Sequence, residues 1–136
     1  MRMTAGVGSP ARHVLDDASD RLGCAGCESP RIDAEILLTH VLGTTRSGLR
    51  AEPDRSLSGE VLAALEELVA RRERREPLAY VLGEWGFRRL TLKVDRRALV
   101  PRPETEIVVG RCLSLIAGLE EPRVLDVGTG SGAIAL

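Results

Sequence analysis

The end of the chain, VLDVGTGSGAIAL from Val124 to Leu136, joins an apolar run to an acidic residue and then to three alternating glycines. Few folds accommodate such a segment. Gly128, Gly130 and Gly132 carry no Cβ, so the turn can adopt positive φ and a ligand can lie directly against the main chain. The spacing predicts a strand over Arg123–Val127, with Asp126 at its carboxyl end, where open α/β sheets bind their ligands. An ordinary glycine-rich turn between a strand and a helix, with no ligand, satisfies the same pattern.

Two cofactor classes use a loop of this kind. Gly128-x-Gly130-x-x-Ala133 meets the dinucleotide pattern, in which a pyrophosphate rests on a helix N-terminus. Asp126, two positions before the first glycine, suits a ligand with a cationic amino group better than a pyrophosphate. That favours S-adenosylmethionine. The run Gly128-Thr129-Gly130-Ser131-Gly132 resembles the first motif of the class I, Rossmann-like methyltransferases, which implies contact with the methionine and ribose portions of that cofactor.

A chain of 136 residues holds one ordinary domain, or a small domain followed by the opening of a second. The position of the glycine loop favours the second description, since a doubly wound sheet cannot be built from one strand. Hydrophobic content of 43% with 29% charged residues fits a globular protein in the cytoplasm, with neither a spanning run nor a secretory leader. A net charge of -1 gives no overall attraction to nucleic acid or membrane, and no direct nucleic-acid binding is expected.

Lys93 is the single lysine among 19 basic residues. Arginines cluster at Arg71, Arg72, Arg74 and Arg75, and again at Arg88, Arg89, Arg96 and Arg97. Interspersed Glu73 and Glu76 mark the first cluster as a solvated helix face. Cys24-Ala25-Gly26-Cys27 has the spacing of a metal or redox half-site, but Cys112, His13 and His40 supply no second pair, so no metal site is expected. The pair reads as structural.

The first ten residues read as a loose lead-in. Ser9-Pro10 then predicts an N-cap and first helical position, with Val14, Leu15, Ala18 and Leu22 on one face before Gly23. Ser29-Pro30 repeats that grammar and opens a helix with Ile32, Ile36, Leu37, Val41 and Leu42, closed by Gly43. Thr44–Leu57 reads as a loop with room for a short helical turn. A third helix is predicted over Ser58–Arg75, where Val61, Leu62, Leu65, Leu68 and Val69 recur at helical spacing, with Glu66, Glu67 and Arg71 opposite. The three should form a small bundle.

After Pro77 the chain reads as a compact linker or short helix to Gly83. Trp85–Phe87 and Leu90–Val94 follow as a β-hairpin with Leu90, Leu92 and Val94 inward. Pro101 and Pro103 delay the next helix, predicted over Glu104–Ala117, with Glu104 and Glu106 suited to its positive end. The expected organisation is a helical domain over 1–76, a linker with a β-hairpin over 77–103, and the incomplete start of an α/β Rossmann-like domain over 104–136.

Two segments ahead of the glycine loop carry a family resemblance. Arg75-Glu76-Pro77-Leu78-Ala79-Tyr80-Val81-Leu82-Gly83 with Trp85 and Phe87, then Leu99-Val100-Pro101-Arg102-Pro103-Glu104-Thr105-Glu106, closely resemble the protein-(glutamine-N5) methyltransferases of the PrmC/HemK family. The resemblance implies methyl transfer from S-adenosylmethionine to the glutamine amide in the Gly-Gly-Gln loop of class I peptide-chain release factors. It also implies that the helical domain helps engage the release factor. By motif position, Asp126 and Gly128 to Gly132 contact the cofactor, and Thr105 and Glu106 help close its site. Thr105 and Glu106 are equally read as a helix cap and a first-turn carboxylate.

An amide nitrogen is a poor nucleophile, so an enzyme must hold it in line and accept hydrogen bonds from its N–H groups. The family does this with an Asn-Pro-Pro-Tyr loop, which does not occur in these residues. The expectation is therefore part of a cofactor site, no catalytic residue, and no methylation by the chain as it stands. Its final strand, lacking neighbours, should be mobile or associate. Three alternatives remain open: a methyltransferase acting on a ribosomal-protein glutamine or on nucleic acid, a non-catalytic helical module that binds release factors, and a nicotinamide enzyme through Ala133.

Overall fold

A computed structural model describes residues 8–136, and the chain divides into two compact units, one ending at Leu82 and one beginning at Gly83. Met1 to Val7 of the expected lead-in lie outside the described residues.

The first unit is built from β1 (Ser9–Pro10), α1 (Ala11–Cys24), α2 (Pro30–Leu42), α3 (Arg46–Ala51), β2 (Ser56–Leu57), α4 (Gly59–Glu73) and α5 (Leu78–Leu82). Val14, Leu15, Ala18 and Leu22 of α1 are buried, as their spacing predicts, and meet Leu37 and Leu38 of α2 and Leu62, Leu65 and Val69 of α4. The helical bundle is thus present.

Its edges differ from the sequence reading in informative ways. The N-cap of α1 is Pro10 and not Ser9, and it makes no side-chain capping bond. Ser9 and Pro10 instead pair antiparallel with Leu57 and Ser56, and Gly8 N–H donates to the Leu57 carbonyl at 3.3 Å. The chain before α1 is tied down by a segment some fifty residues away, which no local pattern announces. α1 also runs past Gly23 to Cys24; the left-handed residue after it is Gly26, at φ 76°.

α2 starts at Pro30 and ends on Gly43 at φ 60°, in accord with the proline-first, glycine-last rule. Its buried face is the expected one only in part: Leu37 is buried and Val41 and Leu42 pack against the core. Ile32 is 44% exposed, whereas Asp33, Ala34, Glu35, Leu37, Leu38 and Thr39 are buried. Burying an Asp and a Glu is tolerable only where they are paired, and arginines from other elements pair them. α4 is capped by Ser58, whose hydroxyl accepts the Val61 N–H at 3.4 Å, and α3 by Thr45, whose hydroxyl accepts from Gly48 at 3.1 Å.

The second unit holds a hairpin of β3 (Glu84–Phe87) and β4 (Leu90–Lys93), followed by α6 (Pro103–Ile116). The register pairs Trp85 with Leu92 and Phe87 with Leu90. Phe87, Leu92 and Val94 are buried; Leu90, expected inward, is 40% exposed although its cross-strand partner Phe87 is buried. Arg88 at that tip takes φ 52°, a left-handed value unusual outside glycine. Its guanidinium reaches α6, donating to the Glu106 carbonyl at 3.1 Å, and the missing side chain of Gly110 lets it pass. α6 begins at the second proline, as the fixed φ of that residue permits.

The strand expected over Arg123–Val127 is not formed. Those residues are irregular, and Val124, Leu125 and Val127 are 69%, 84% and 84% exposed. A strand exists only by pairing its N–H and C=O groups with a neighbour, and among the described residues none lies alongside. Replacing the fully buried Leu65 by Ala should lower the unfolding free energy by about 2–5 kcal/mol. Urea unfolding followed by far-ultraviolet circular dichroism reads that loss, and Leu113→Ala on the exposed side of α6 should shift it by no more than about 0.5 kcal/mol.

Candidate functional site

The glycine segment adopts the backbone that its composition requires. Gly128, Gly130 and Gly132 sit at φ 76°, 56° and 80°, in the region that side-chain-bearing residues avoid. The turns close through Gly132 N–H to the Thr129 carbonyl at 2.8 Å and Ala135 N–H to the Gly132 carbonyl at 3.1 Å. A Cβ placed on Gly128 or Gly132 would meet nothing within 4 Å, so the glycines answer to backbone conformation and not to crowding.

Asp126 is drawn into the loop it precedes: its carboxylate accepts the Thr129 hydroxyl at 2.6 Å. Ser131 is half-buried, and Ala133 is buried beneath the turns. Bare backbone beside a carboxylate fits, in kind, the ammonium and hydroxyl groups of S-adenosylmethionine.

Thr105 and Glu106 lie in the first turn of α6, whose N-cap is Arg102. Thr105 N–H donates to the Arg102 carbonyl at 3.0 Å, which makes Thr105 a first-turn residue and not the cap. Among the described residues no hydrogen bond or ion pair joins either residue to the glycine segment.

In the helical unit the structure overturns the reading of Arg71 and Arg72 as a solvated face, while Arg75 stays exposed. Arg71 forks onto Glu76 at 2.8 and 3.0 Å and also donates to the carbonyls of Tyr80 and Val81 at 2.8 and 3.0 Å. Arg72 holds the buried Asp33 at 2.9 Å and the Glu76 carbonyl at 3.0 Å. Arg75, at φ 64°, lies against the carbonyls of Ala25 and Gly26. Arg71, Arg72 and Arg75 therefore act as a clasp that fastens the end of α4 to α5, to α2 and to the α1–α2 turn. Arg74 remains exposed.

Two further ionic clusters escape a reading of sequence periodicity. Arg21 of α1 grips Glu66 at 2.8 and 3.0 Å and Glu73 at 2.8 and 2.9 Å, both on α4. These bonds hold the Glu73 carboxyl below its ordinary value. Glu35 on α2 is approached by Arg46 at 2.7 Å, Arg50 at 2.9 Å and Arg31 at 3.6 Å. Burial pushes its carboxyl up, but the bonds from Arg46 and Arg50 outweigh burial and the net displacement is downward. The only advance signal was an acidic residue at a helical position otherwise flanked by apolar ones.

Cys27 is buried, with its sulfur 3.8 Å from the Arg72 carbonyl, and Cys24 is exposed. Among the described residues no group of three or more His, Cys, Asp or Glu side chains could hold a metal, and no helix is long and apolar enough to cross a membrane.

Comparison with known proteins identifies relatives. The family model described as the PrmC N-terminal domain matches residues 13–83. The chain is 48% identical over 123 residues to a release factor glutamine methyltransferase of Vibrio cholerae, an alignment covering 90% of this chain and 43% of that protein. A protein of the same name from Deinococcus radiodurans is 45% identical over 127 residues, covering 92% of this chain and 45% of its own length. One from Streptomyces coelicolor is 46% identical over 121 residues, with 88% and 42% covered. The chain spans less than half the length of these relatives.

The lowered carboxyls of Glu35 and Glu73 give stability that is complete above the ordinary carboxylate range and is lost as pH falls through their displaced values. Glu35→Gln should cost about 1–3 kcal/mol at neutral pH, since the buried oxygen loses charge-assisted bonds. It should also flatten the acid limb of a thermal-unfolding profile; a limb as steep as that of the unaltered chain would contradict the assignment.

Proposed function

Because this chain belongs to the PrmC N-terminal domain family, we propose that it is the amino-terminal part of an S-adenosylmethionine-dependent methyltransferase of the glutamine amide in the Gly-Gly-Gln motif of peptide-chain release factors. The observation that carries this reading is the identity of 45–48% to the Vibrio and Deinococcus proteins over about nine-tenths of the chain. The activity is proposed for the whole protein, acting in the cytoplasm. In this reading the helical unit engages the release factor and the second unit opens the Rossmann-like methyltransferase domain.

The left-handed glycines and the Asp126 carboxylate support the assignment of Asp126, Gly128, Thr129, Gly130, Ser131 and Gly132 to the cofactor. S-adenosylmethionine supplies an electrophilic methyl group when bound. The residues present here would fix its amino-acid and ribose ends, while Thr105 and Glu106 would help close the site. The strand that leads into the loop is proposed to form only alongside neighbouring strands.

Incubation of the whole protein with labelled S-adenosylmethionine and a class I release factor should place one methyl group on the Gly-Gly-Gln glutamine, read by mass spectrometry of the tryptic peptide. Gly130→Val should weaken cofactor binding about tenfold or more in calorimetry, because a β-branched residue at φ 56° is strained by about 1–2 kcal/mol and its side chain occupies the ligand's approach. Heat on titration with NADH and none with S-adenosylmethionine would sink the proposal.

A further inference from the structure

A cleft of about 130 Å³ opens in the helical unit, with Ala11, Leu15, Leu49 and Pro53 as apolar walls. The rest of its lining is charged: Arg12, Arg31, Arg50 and Glu35. The Glu35 side chain, 8% exposed, is deepest, and those of Arg12, Arg31 and Arg50 are about half exposed at 49%, 47% and 62%.

The charges here do not balance. Counting Arg46 behind Glu35, four guanidiniums face three carboxylates, Asp16, Glu35 and Asp54. Asp16 and Asp54 are themselves 63% and 68% exposed, so their pairs with Arg31 and Arg12 contribute little and exchange readily. Among the described residues Arg50 reaches Glu35 through one terminal nitrogen, whereas a guanidinium offers five N–H donors in a planar fork. That fork matches a second carboxylate.

Size and shape narrow the ligand further. The cleft is smaller than the roughly 300–1,000 Å³ usual for small-molecule sites, but it takes a single side chain. Apolar walls suit a short methylene stem, and the buried Glu35 charge disfavours a dianionic phosphate. We propose that this cleft seats the carboxylate side chain of an acidic segment of a partner protein, held by Arg31 and Arg50 with its methylenes against Leu15 and Leu49. The inference rests on the reading that the helical unit engages a release factor, and it names the recognition element: an exposed Asp or Glu on that partner.

The test titrates the 136-residue chain with a hexaglutamate peptide and, separately, with a class I release factor, while following leucine methyl resonances. Both should shift the Leu15 and Leu49 methyls. The double variant Arg31→Gln, Arg50→Gln should weaken both ligands about tenfold or more, since two charge-assisted hydrogen bonds are lost. Arg97→Gln, in the turn after β4, should leave both unchanged. Equal binding by a double variant that keeps its circular dichroism overturns the inference, as do hexaglutamate shifts confined to residues 84–102. Stronger displacement at Leu49 by an oligonucleotide of equal charge also overturns it. If the double variant does not fold, competition on the unaltered chain decides: displacement of the release factor by hexaglutamate supports the cleft, and its absence overturns it. Hexaglutamate binding at Leu49 without any release-factor binding supports the cleft and removes the release-factor reading instead.

Discussion

Two carboxylates withdrawn from water, Asp33 and Glu35 on α2, set the terms on which the helical unit assembles. Burying a carboxylate is costly unless it is paired, and the pairing arginines come from other helices. Asp33 calls for Arg72 near the end of α4; Glu35 calls for Arg46 and Arg50 of α3. The interdigitated Leu, Val and Ala side chains supply most of the favourable free energy, because they remove apolar surface from water. Ion pairs of this kind add less, but they discriminate between registers: a helix rotated by one residue would strand a buried charge.

The same logic accounts for the segment that most strongly carries the family resemblance. Between Arg75 and Gly83 the residue types are those of a clasp. Arg75 accepts a left-handed backbone normally given to glycine and donates from an exposed position to the Ala25 and Gly26 carbonyls. Glu76 receives the Arg71 fork, Ala79 and Val81 are buried, and Gly83 turns the chain at φ 76° toward the hairpin. A motif recognised for its family thus has a mechanical role within the helical unit, apart from any part in binding.

The glycine segment stands in a different position. Its left-handed turns form from local preferences alone, since each φ is a property of a residue without Cβ. The apolar residues before it, Val124, Leu125 and Val127, obtain no such local solution and stay exposed. The loop and the irregular apolar segment before it, adjacent in sequence, therefore depend on different ranges of interaction.

That contrast divides the molecule between the legible and the hidden. Helix stripes such as Val14, Leu15, Ala18 and Leu22, the Ser29-Pro30 start and Gly43 stop of α2, the hairpin, and the turn conformation at Gly128, Gly130 and Gly132 could be read from the chain. Each follows from the periodicity or the φ preference of a few neighbouring residues. The pairing of Ser9 and Pro10 with Leu57 and Ser56, the inward turn of Asp33 and Glu35 in place of Ile32, and the conversion of Arg71 and Arg72 from a supposed solvent face into a clasp could not. Those outcomes were decided in three dimensions, because the partner that makes a buried charge or an unpaired N–H tolerable lies many residues away and leaves no trace in the local pattern.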